Sequence, residues 1–171
     1  MNRTNLLVAI FLAVSVLSIG VPAQKQTKEE KQKAKMEEEK ERATPRSITV
    51  RAPLQAIKDE LLRHYLTAPP EKGRTEYSPC VEQPSRLVFC RGLDDKLQQA
   101  SISVWGQKMH FEHIFTFVPA DENSFTVIAV SDGVEVNRLG VENRLRYMTK
   151  EVRTELQNTL DNLKMKLEAK K

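Results

Sequence analysis

The sequence predicts an α+β domain, in which an antiparallel sheet of about four to five strands packs against an N-terminal helix and a long C-terminal amphipathic helix. Apolar residues recur at helical spacing over residues 54–65 and again over residues 141–171, whereas between these segments they alternate as in strands. The connections between the alternating segments are short. Short connections indicate antiparallel pairing, because a parallel crossover needs about a dozen residues or more.

Residues 1–23 have the composition of an export signal. Arg3 supplies a positive charge ahead of an apolar run from Leu6 to Ile19. This run is shorter than the roughly 20 residues with which a helix crosses a bilayer, and it has the length typical of a signal peptide. The residues before Gln24 predict cleavage between Ala23 and Gln24, which would release a secreted or periplasmic protein. An uncleaved signal that anchors the chain in a membrane is the alternative.

Residues 24–46 are predicted to be a charged, flexible or partly helical linker. Met36 is the only large apolar residue in this segment, so the segment cannot fold by burying a core. Its abundant Lys, Glu, Gln and Ala favour helical structure, but like charges at four-residue spacing oppose it. We therefore expect a solvated spacer, followed by a single α+β domain over residues 47–171.

The domain is predicted to begin with a short strand and a helix. Ile48 and Val50 alternate with polar residues, and Pro53 suits the first position of a helix. The apolar residues that follow lie on one helical face: Leu54, Ile57, Leu61, Leu62 and Tyr65. The segment 68–85 is rich in proline and polar residues and is predicted to be a loop that contains one cysteine.

Four segments rich in β-branched and aromatic residues are predicted to be strands. They are residues 86–91, 100–105, 111–118 and 125–130. Turns are predicted between them at residues 92–95, 106–108 and 119–123. Asp132-Gly133 predicts a further turn, and residues 134–136 predict a small strand behind it.

One long helix is predicted over residues 141–171. Its apolar residues are three or four positions apart: Leu145, Met148, Val152, Leu156, Leu160, Leu163 and Leu167. Such a face can cover a sheet, while charged residues such as Lys150 and Glu155 face water. A coiled-coil dimer is the alternative, although two successive steps of four depart from a heptad repeat. A second copy of the chain is therefore one candidate partner.

The third predicted strand carries apolar side chains on both faces. Phe111, Phe115 and Phe117 lie on one face, and Ile114 lies on the other. In an antiparallel sheet, a face that is exposed to solvent normally carries polar side chains. Because the second face here carries apolar side chains, we expect something to cover it. Together with Trp105, the three phenylalanines are a candidate apolar groove. Its occupant could be a dimer partner, the preceding loop or a bound apolar ligand.

The order of strand, helix, antiparallel strands and long C-terminal helix over about residues 47–168 resembles a reduced version of the helix-grip domains. These domains include the START and Bet v 1-like carriers of lipids and hydrophobic ligands. The resemblance is architectural. It implies that a small carrier of lipids or other apolar ligands is an alternative function.

Two cysteines, Cys80 and Cys90, are predicted to form a disulfide. An even number of cysteines in an exported chain favours a bond, because disulfides persist in oxidising compartments. A catalytic cysteine would need a histidine or another cation to stabilise its thiolate, and nothing in the sequence positions one against the thiol of either residue. The structural role is therefore expected.

His110, Glu112 and His113 are the densest group of metal-ligating residue types in the sequence. In a strand, His110 and Glu112 share one face and His113 points to the other, so the three cannot converge. The helical His-Glu-x-x-His arrangement, phosphate-binding glycine loops and the Gly-x-Ser-x-Gly motif are absent. We therefore expect no metal site and no cofactor, and a metal- or thiol-dependent enzyme that uses His110, Glu112 or Cys90 is the minority alternative.

The charge distribution does not indicate a nucleic-acid partner. The formal net charge is +4 and the isoelectric point about 9.1, but acidic and basic residues are mixed throughout the chain. Runs of basic residues interleaved with aromatic ones, as in stacking platforms, do not occur. The sequence therefore predicts an exported non-enzymatic binding or envelope-associated domain. Its partner would be an envelope or extracellular protein or a small apolar ligand, with membrane contact only through an uncleaved signal.

Overall fold

The computed structural model describes residues 28–169, so the predicted export signal and its cleavage site lie outside the described residues. The helices are α1 (Lys28–Ala43), α2 (Leu54–Thr67), α3 (Asp95–Trp105) and α4 (Lys150–Glu168). The strands are β1 (Arg46–Val50), β2 (Ser78–Gln83), β3 (Arg86–Gly92), β4 (Gln107–Asp121), β5 (Ser124–Asn137) and β6 (Glu142–Arg146). This arrangement confirms the predicted α+β fold.

All six strands form one antiparallel sheet, in the order β1-β5-β4-β3-β2. β5 is long enough to take two partners on one edge. β1 pairs with Phe125–Ala129 of β5, and β6 pairs with Asp132–Val136. The antiparallel pairing that the short connections predicted is therefore confirmed.

The core lies between one face of this sheet and the helices α2 and α4. Leu156 and Leu160 of α4 are fully buried, as are Ile57 of α2 and Phe115 of β4. Burying one such side chain contributes roughly 1.5–3 kcal/mol relative to leaving it in water. The two helices that the apolar spacing predicted thus supply the cover of the sheet.

The predicted strand at residues 100–105 is wrong, because these residues belong to helix α3. Asp94 caps the helix by accepting a hydrogen bond from the backbone N–H of Leu97, at 2.9 Å. Gly106 ends it with a left-handed φ of 67° and a bond from its N–H to the carbonyl of Ile102. Caps at both ends outweigh the β preference of a few alternating residues. The turn predicted at residues 92–95 is accordingly the start of this helix.

Part of the predicted loop at residues 68–85 is a strand. β2 pairs with β3 at the edge of the sheet, with a bulge at Cys80 between Pro79 and Val81. Most side chains of β2 are exposed and polar, so the strand lacks the apolar alternation by which strands are recognised. Cross-strand pairing forms it instead.

The predicted turn at Asp132-Gly133 is also wrong, because β5 runs through it without interruption. Gly133 lies opposite Phe111 in the register with β4. A Cβ atom at Gly133 would lie 3.9 Å from the Phe111 ring and 3.9 Å from the Cβ of Tyr147. The glycine therefore makes room for aromatic neighbours inside a strand, which is a known alternative to a turn.

The long C-terminal helix begins later than predicted. Residues 142–146 form β6, and Leu145 is 54% exposed at the edge of the sheet instead of covering it. Thr149 caps α4 through its side chain, which accepts from the backbone N–H of Val152. Apolar residues at steps of three and four continued by chance from the strand into the helix, so spacing alone could not locate the boundary.

The segment 24–46 contains a regular helix over most of its length. α1 is polar and solvent-exposed, with Met36 64% exposed. Glu41 of α1 forms an ion pair with Arg153 of α4 at 3.0 Å. Over the described residues, the helices include none with the length and hydropathy to cross a membrane.

Cys80 and Cys90 form a disulfide between β2 and β3, with their Cα atoms 5.8 Å apart. The bond closes a short hairpin, with a sequence separation of 10 between the cysteines. It ties the polar edge strand β2 to the buried strand β3. The pair is present as the sequence predicted.

Replacing both cysteines, Cys80→Ser with Cys90→Ser, should lower the free energy of unfolding by about 2–3 kcal/mol, because the unfolded chain loses a covalent constraint on a short loop. Urea unfolding followed by circular dichroism measures this change. A phosphine reductant should lower the stability of the wild-type chain to the same level and leave the double variant unchanged. Equal stability of oxidised and reduced wild-type chain would contradict the expectation.

Candidate functional site

The helix-covered face of the sheet contains a group of polar residues in the middle of the apolar core. We call it the buried polar network, and it consists of Tyr65, Tyr77, Arg91, His113 and Glu155. Five different parts of the fold supply these residues: α2, the segment before β2, β3, β4 and α4. Tyr65 and His113 are each 1% exposed.

His113 lies at the centre of the buried polar network. Its Nδ1 is 3.0 Å from the hydroxyl of Tyr65 and 3.3 Å from the hydroxyl of Tyr77. The Tyr77 hydroxyl also donates to Oε1 of Glu155 at 3.3 Å. Hydrogen bonds therefore connect α2 and β4 through His113, and α4 joins them through Tyr77.

Arg91 brings a positive charge to the edge of this network. Its guanidinium carbon lies 4.4 Å from the centre of the Tyr77 ring, in a cation–π contact. Its Nη2 is 3.2 Å from the carboxylate of Glu71, which is half exposed. The Arg91 side chain itself is only 3% exposed, so this ion pair and this ring offset part of its lost hydration, while its buried Nε has no hydrogen-bond partner among the described residues.

Burial holds the histidine and the two tyrosines of the network in their neutral forms. Burial, with the nearby charges of Arg91 and Arg74, lowers the pKa of His113 to about 3. Burial also raises the pKa of Tyr77 and of Tyr65 well above the usual value for tyrosine. Near neutral pH, the imidazole therefore carries no charge and both phenols keep their protons.

A surface groove adjoins the network on the side of α4. It has a volume of about 600 Å³, and we call it the α2–α4 groove. Its lining residues are His64 from α2 and, from α4, Lys150, Glu151, Thr154, Glu155, Asn158, Thr159 and Asn162. Glu155 belongs to both features, because it is one of the lining residues of the groove and its carboxyl group accepts the bond from Tyr77.

Two details show how the groove is built. Nε2 of His64 lies 3.3 Å from the Thr159 hydroxyl, which also donates to the backbone carbonyl of Glu155 at 2.9 Å. Burial and then the charge of Lys166 lower the pKa of His64, and burial raises the pKa of Glu155. Each of the two pKa shifts favours the neutral form of the side chain concerned.

The residues of the candidate apolar groove lie mainly in the core. Phe115 and Phe117 are buried among the core side chains, and Phe115 contacts the ring of Tyr65. Phe111 lies between the guanidinium of Arg74 and the ring of Tyr147. The side chain of Trp105 lies outside the described residues.

The structure separates the histidines as strand alternation predicted. Nε2 of His110 is 3.3 Å from Oε1 of Glu112, whereas His113 points to the helix-covered face. Glu112 also forms an ion pair with Arg144 and lies beside the disulfide. Ligand atoms of Cys80, Cys90 and Glu112 are within 4.8 Å of one another, but both sulfurs are bonded to each other, so neither is a thiolate that could bind a metal ion.

Most of the buried polar network was not predicted. The sequence predicts Tyr65 as part of the apolar stripe of α2, Tyr77 as part of a loop and Glu155 as a residue on the solvent-facing side of α4. The alternation of side chains between the two faces of a strand is the one sequence signal of the network, because it places Arg91 on the same face of β3 as Phe89. An arginine on the apolar face of a buried strand indicates a partner inside the fold, but the sequence does not identify that partner.

Comparison with known proteins gives little further information. No family model and no curated protein matches the chain. Among solved structures, the crystal structure of the Zhui aromatase/cyclase from Streptomyces sp. R1128 has a TM-score of 0.26 and 9% sequence identity to the chain, and the match covers 74% of this chain and 86% of that one. A likeness this weak bears on neither activity nor ligand.

Because the folded protein keeps His113 neutral to a pKa of about 3, acid should destabilise it through this residue. The unfolded chain takes up a proton below about pH 6.5, so stability falls from there towards pH 3 by at most about 1.4 kcal/mol per pH unit. Half-buried His64 adds a smaller change of the same sign, and Glu155 opposes it. The difference between the wild-type chain and His113→Gln isolates the His113 contribution.

Urea unfolding at pH 7, 6 and 5 provides the measurement. His113→Gln should be less stable than the wild-type chain at pH 7, but its stability should decline less steeply towards pH 5. Parallel declines in the two chains would show that the imidazole is not held neutral by burial.

Proposed function

We propose that this chain is an exported, non-enzymatic binding domain and that the α2–α4 groove is its ligand site. The observation that carries the proposal is the double role of Glu155, which lines the groove and is held from behind by the hydroxyl of Tyr77. A polar side chain oriented by a buried hydrogen bond is typical of groups that recognise ligands.

Export is part of the proposal. The predicted signal at residues 1–23, with cleavage between Ala23 and Gln24, would deliver the chain to the periplasm or the medium. The Cys80–Cys90 disulfide is compatible with such an oxidising compartment. The binding domain would then act on partners or ligands outside the cytoplasm.

Binding is favoured over catalysis because the network is poorly suited to proton transfer near neutral pH. General acid–base groups work best when their pKa lies near the working pH. Burial moves the pKa of His113 to about 3 and that of Tyr77 in the opposite direction. Both cysteines of the chain are in the disulfide, so neither offers a nucleophilic thiolate.

The groove suggests a small ligand that forms hydrogen bonds with its lining side chains. Its volume of about 600 Å³ suits a small molecule. Thr154, Asn158 and Asn162 follow one another at four-residue intervals, so they form one row along α4. Hydroxyl and amide side chains both donate and accept hydrogen bonds, which matches a ligand rich in hydroxyl or amide groups, such as a saccharide or a short peptide.

The alternative of an apolar-ligand carrier receives less support from the core. Phe115 and Phe117 would have to line its cavity, yet both pack against other core residues. An occupant at that position would have to displace side chains that stabilise the fold. A partner protein bound at the groove would use the same polar row and is the second outcome to be distinguished.

Ligand-observed NMR on the full chain tests the proposal with three probe sets: neutral mono- and disaccharides, N-acetylated dipeptides, and medium-chain fatty acids. We expect a member of the first two sets to bind. Asn158→Trp should abolish this binding, because the indole would fill the groove. Met165→Trp is the matched control, since Met165 is 60% exposed on the same helix but does not line the groove.

Binding that survives Asn158→Trp would place the site elsewhere. Binding of fatty acids alone would favour the apolar carrier. If no member of the three probe sets binds and the chain forms stable dimers in native mass spectrometry, a protein partner would be favoured.

A further inference from the structure

The turn between β5 and β6 presents apolar side chains to solvent. We call residues 138–141 the hairpin tip, which lies between the end of β5 and the start of β6. Leu139 is 88% exposed and Val141 is 59% exposed. Single exposed leucines are common on protein surfaces, but two large apolar side chains within three residues on a projecting turn form a small apolar surface.

The backbone of the hairpin tip is well fixed. Oδ1 of Asn137 accepts hydrogen bonds from the backbone N–H groups of both Leu139 and Val141, each at 2.9 Å. Gly140 has a left-handed φ of 78°, which a residue with a side chain rarely adopts. The turn therefore holds the two side chains outward in a defined geometry.

A cationic pocket lies directly beside the tip. It has a volume of about 310 Å³, and its lining residues are Ile102, Gly106, Lys108, Val136, Asn137, Arg138 and Gly140. Lys108 and Arg138 are the charged residues of this lining. Because both are cations, the pocket suits an anionic group.

A glycine allows the arginine to take its position in the pocket. A Cβ atom at Gly106 would lie 3.3 Å from Nε of Arg138, which is closer than most such contacts in proteins. The acidic residues nearby have other partners. Glu142 pairs with Arg144 at 2.9 Å, and Glu135 accepts from the Asn143 amide at 3.4 Å.

We propose that the hairpin tip docks on an anionic lipid bilayer. Leu139 and Val141 enter the region of the acyl chains, while Lys108 and Arg138 hold a lipid phosphate in the pocket. Apolar side chains that project beside cations are the combination that interfacial membrane-binding segments use. The contact is independent of the ligand in the α2–α4 groove, and it adds a membrane contact beyond that of an uncleaved signal.

The size of the surface favours a bilayer over a protein partner. A stable protein interface buries roughly 800 Å² on each partner, usually with some 20 residues or more. The tip offers two apolar side chains on a four-residue turn. A bilayer needs no such matching surface, because lipid tails and headgroups adapt to a small projection.

Tryptophan placed at the tip reports directly on insertion. In the full chain, Leu139→Trp should be quenched by vesicles whose phosphatidylcholine carries brominated acyl chains and which also contain phosphatidylglycerol. Met165→Trp, at an exposed position on α4 away from the tip, should be quenched much less. This comparison remains valid if the N-terminal apolar run also binds the vesicles, because quenching depends on the depth of each indole and Trp105 contributes to both variants.

A second comparison tests the cationic pocket. Omitting phosphatidylglycerol, or adding Arg138→Gln to the Leu139→Trp chain, should reduce the quenching severalfold. Equal quenching of Leu139→Trp and Met165→Trp would overturn the proposal. Quenching that is indifferent to both phosphatidylglycerol and Arg138→Gln would overturn the lipid-phosphate contact. Without vesicles, a Leu139→Trp emission that is blue-shifted relative to that of Met165→Trp would overturn the bilayer proposal in favour of contact with a second copy of the chain.

Discussion

The packing of α4 against one face of the sheet is the interaction on which the rest of the fold depends. A single sheet with one apolar face is not stable in water until another layer covers it. Leu156 and Leu160 supply this cover over β-strand residues such as Phe115 and Val127. Near the end of α4, Glu168 accepts a hydrogen bond from the backbone N–H of Arg51, just after β1. Helix α4 is therefore held to the sheet both by its buried leucines and by a hydrogen bond next to β1.

The buried polar network gives this packing a defined register. Apolar side chains tolerate small shifts between a helix and a sheet, whereas hydrogen bonds of about 3 Å do not. Tyr77 can reach Glu155 and His113 together only when α4 lies at one position along the sheet. The same hydrogen bond fixes the position of one side chain of the α2–α4 groove, because Glu155 is also one of its lining residues.

The sequence patterns predicted those elements whose structure depends on neighbouring residues. The stripe of α2, the later part of α4 and the antiparallel pairing followed from apolar spacing and short connections. Helix α3 does not follow from these patterns, because the residues that cap it, Asp94 and Gly106, are also typical turn residues. The network could not be predicted, since Tyr77 and Glu155 are 78 positions apart and meet only through the tertiary fold. Alternation alone did correctly separate His110 from His113.

The edges of the sheet also bear on whether the protein aggregates at high concentration. A long, straight, open strand edge can recruit strands from other molecules and so lead to insoluble fibres. Here one edge is β2, where Pro79 lacks an N–H, Cys80 forms a bulge and the disulfide fixes the hairpin. The other edge is divided between β1 and β6, each only five residues long. High local concentration of the folded chain should therefore be compatible with lasting solubility.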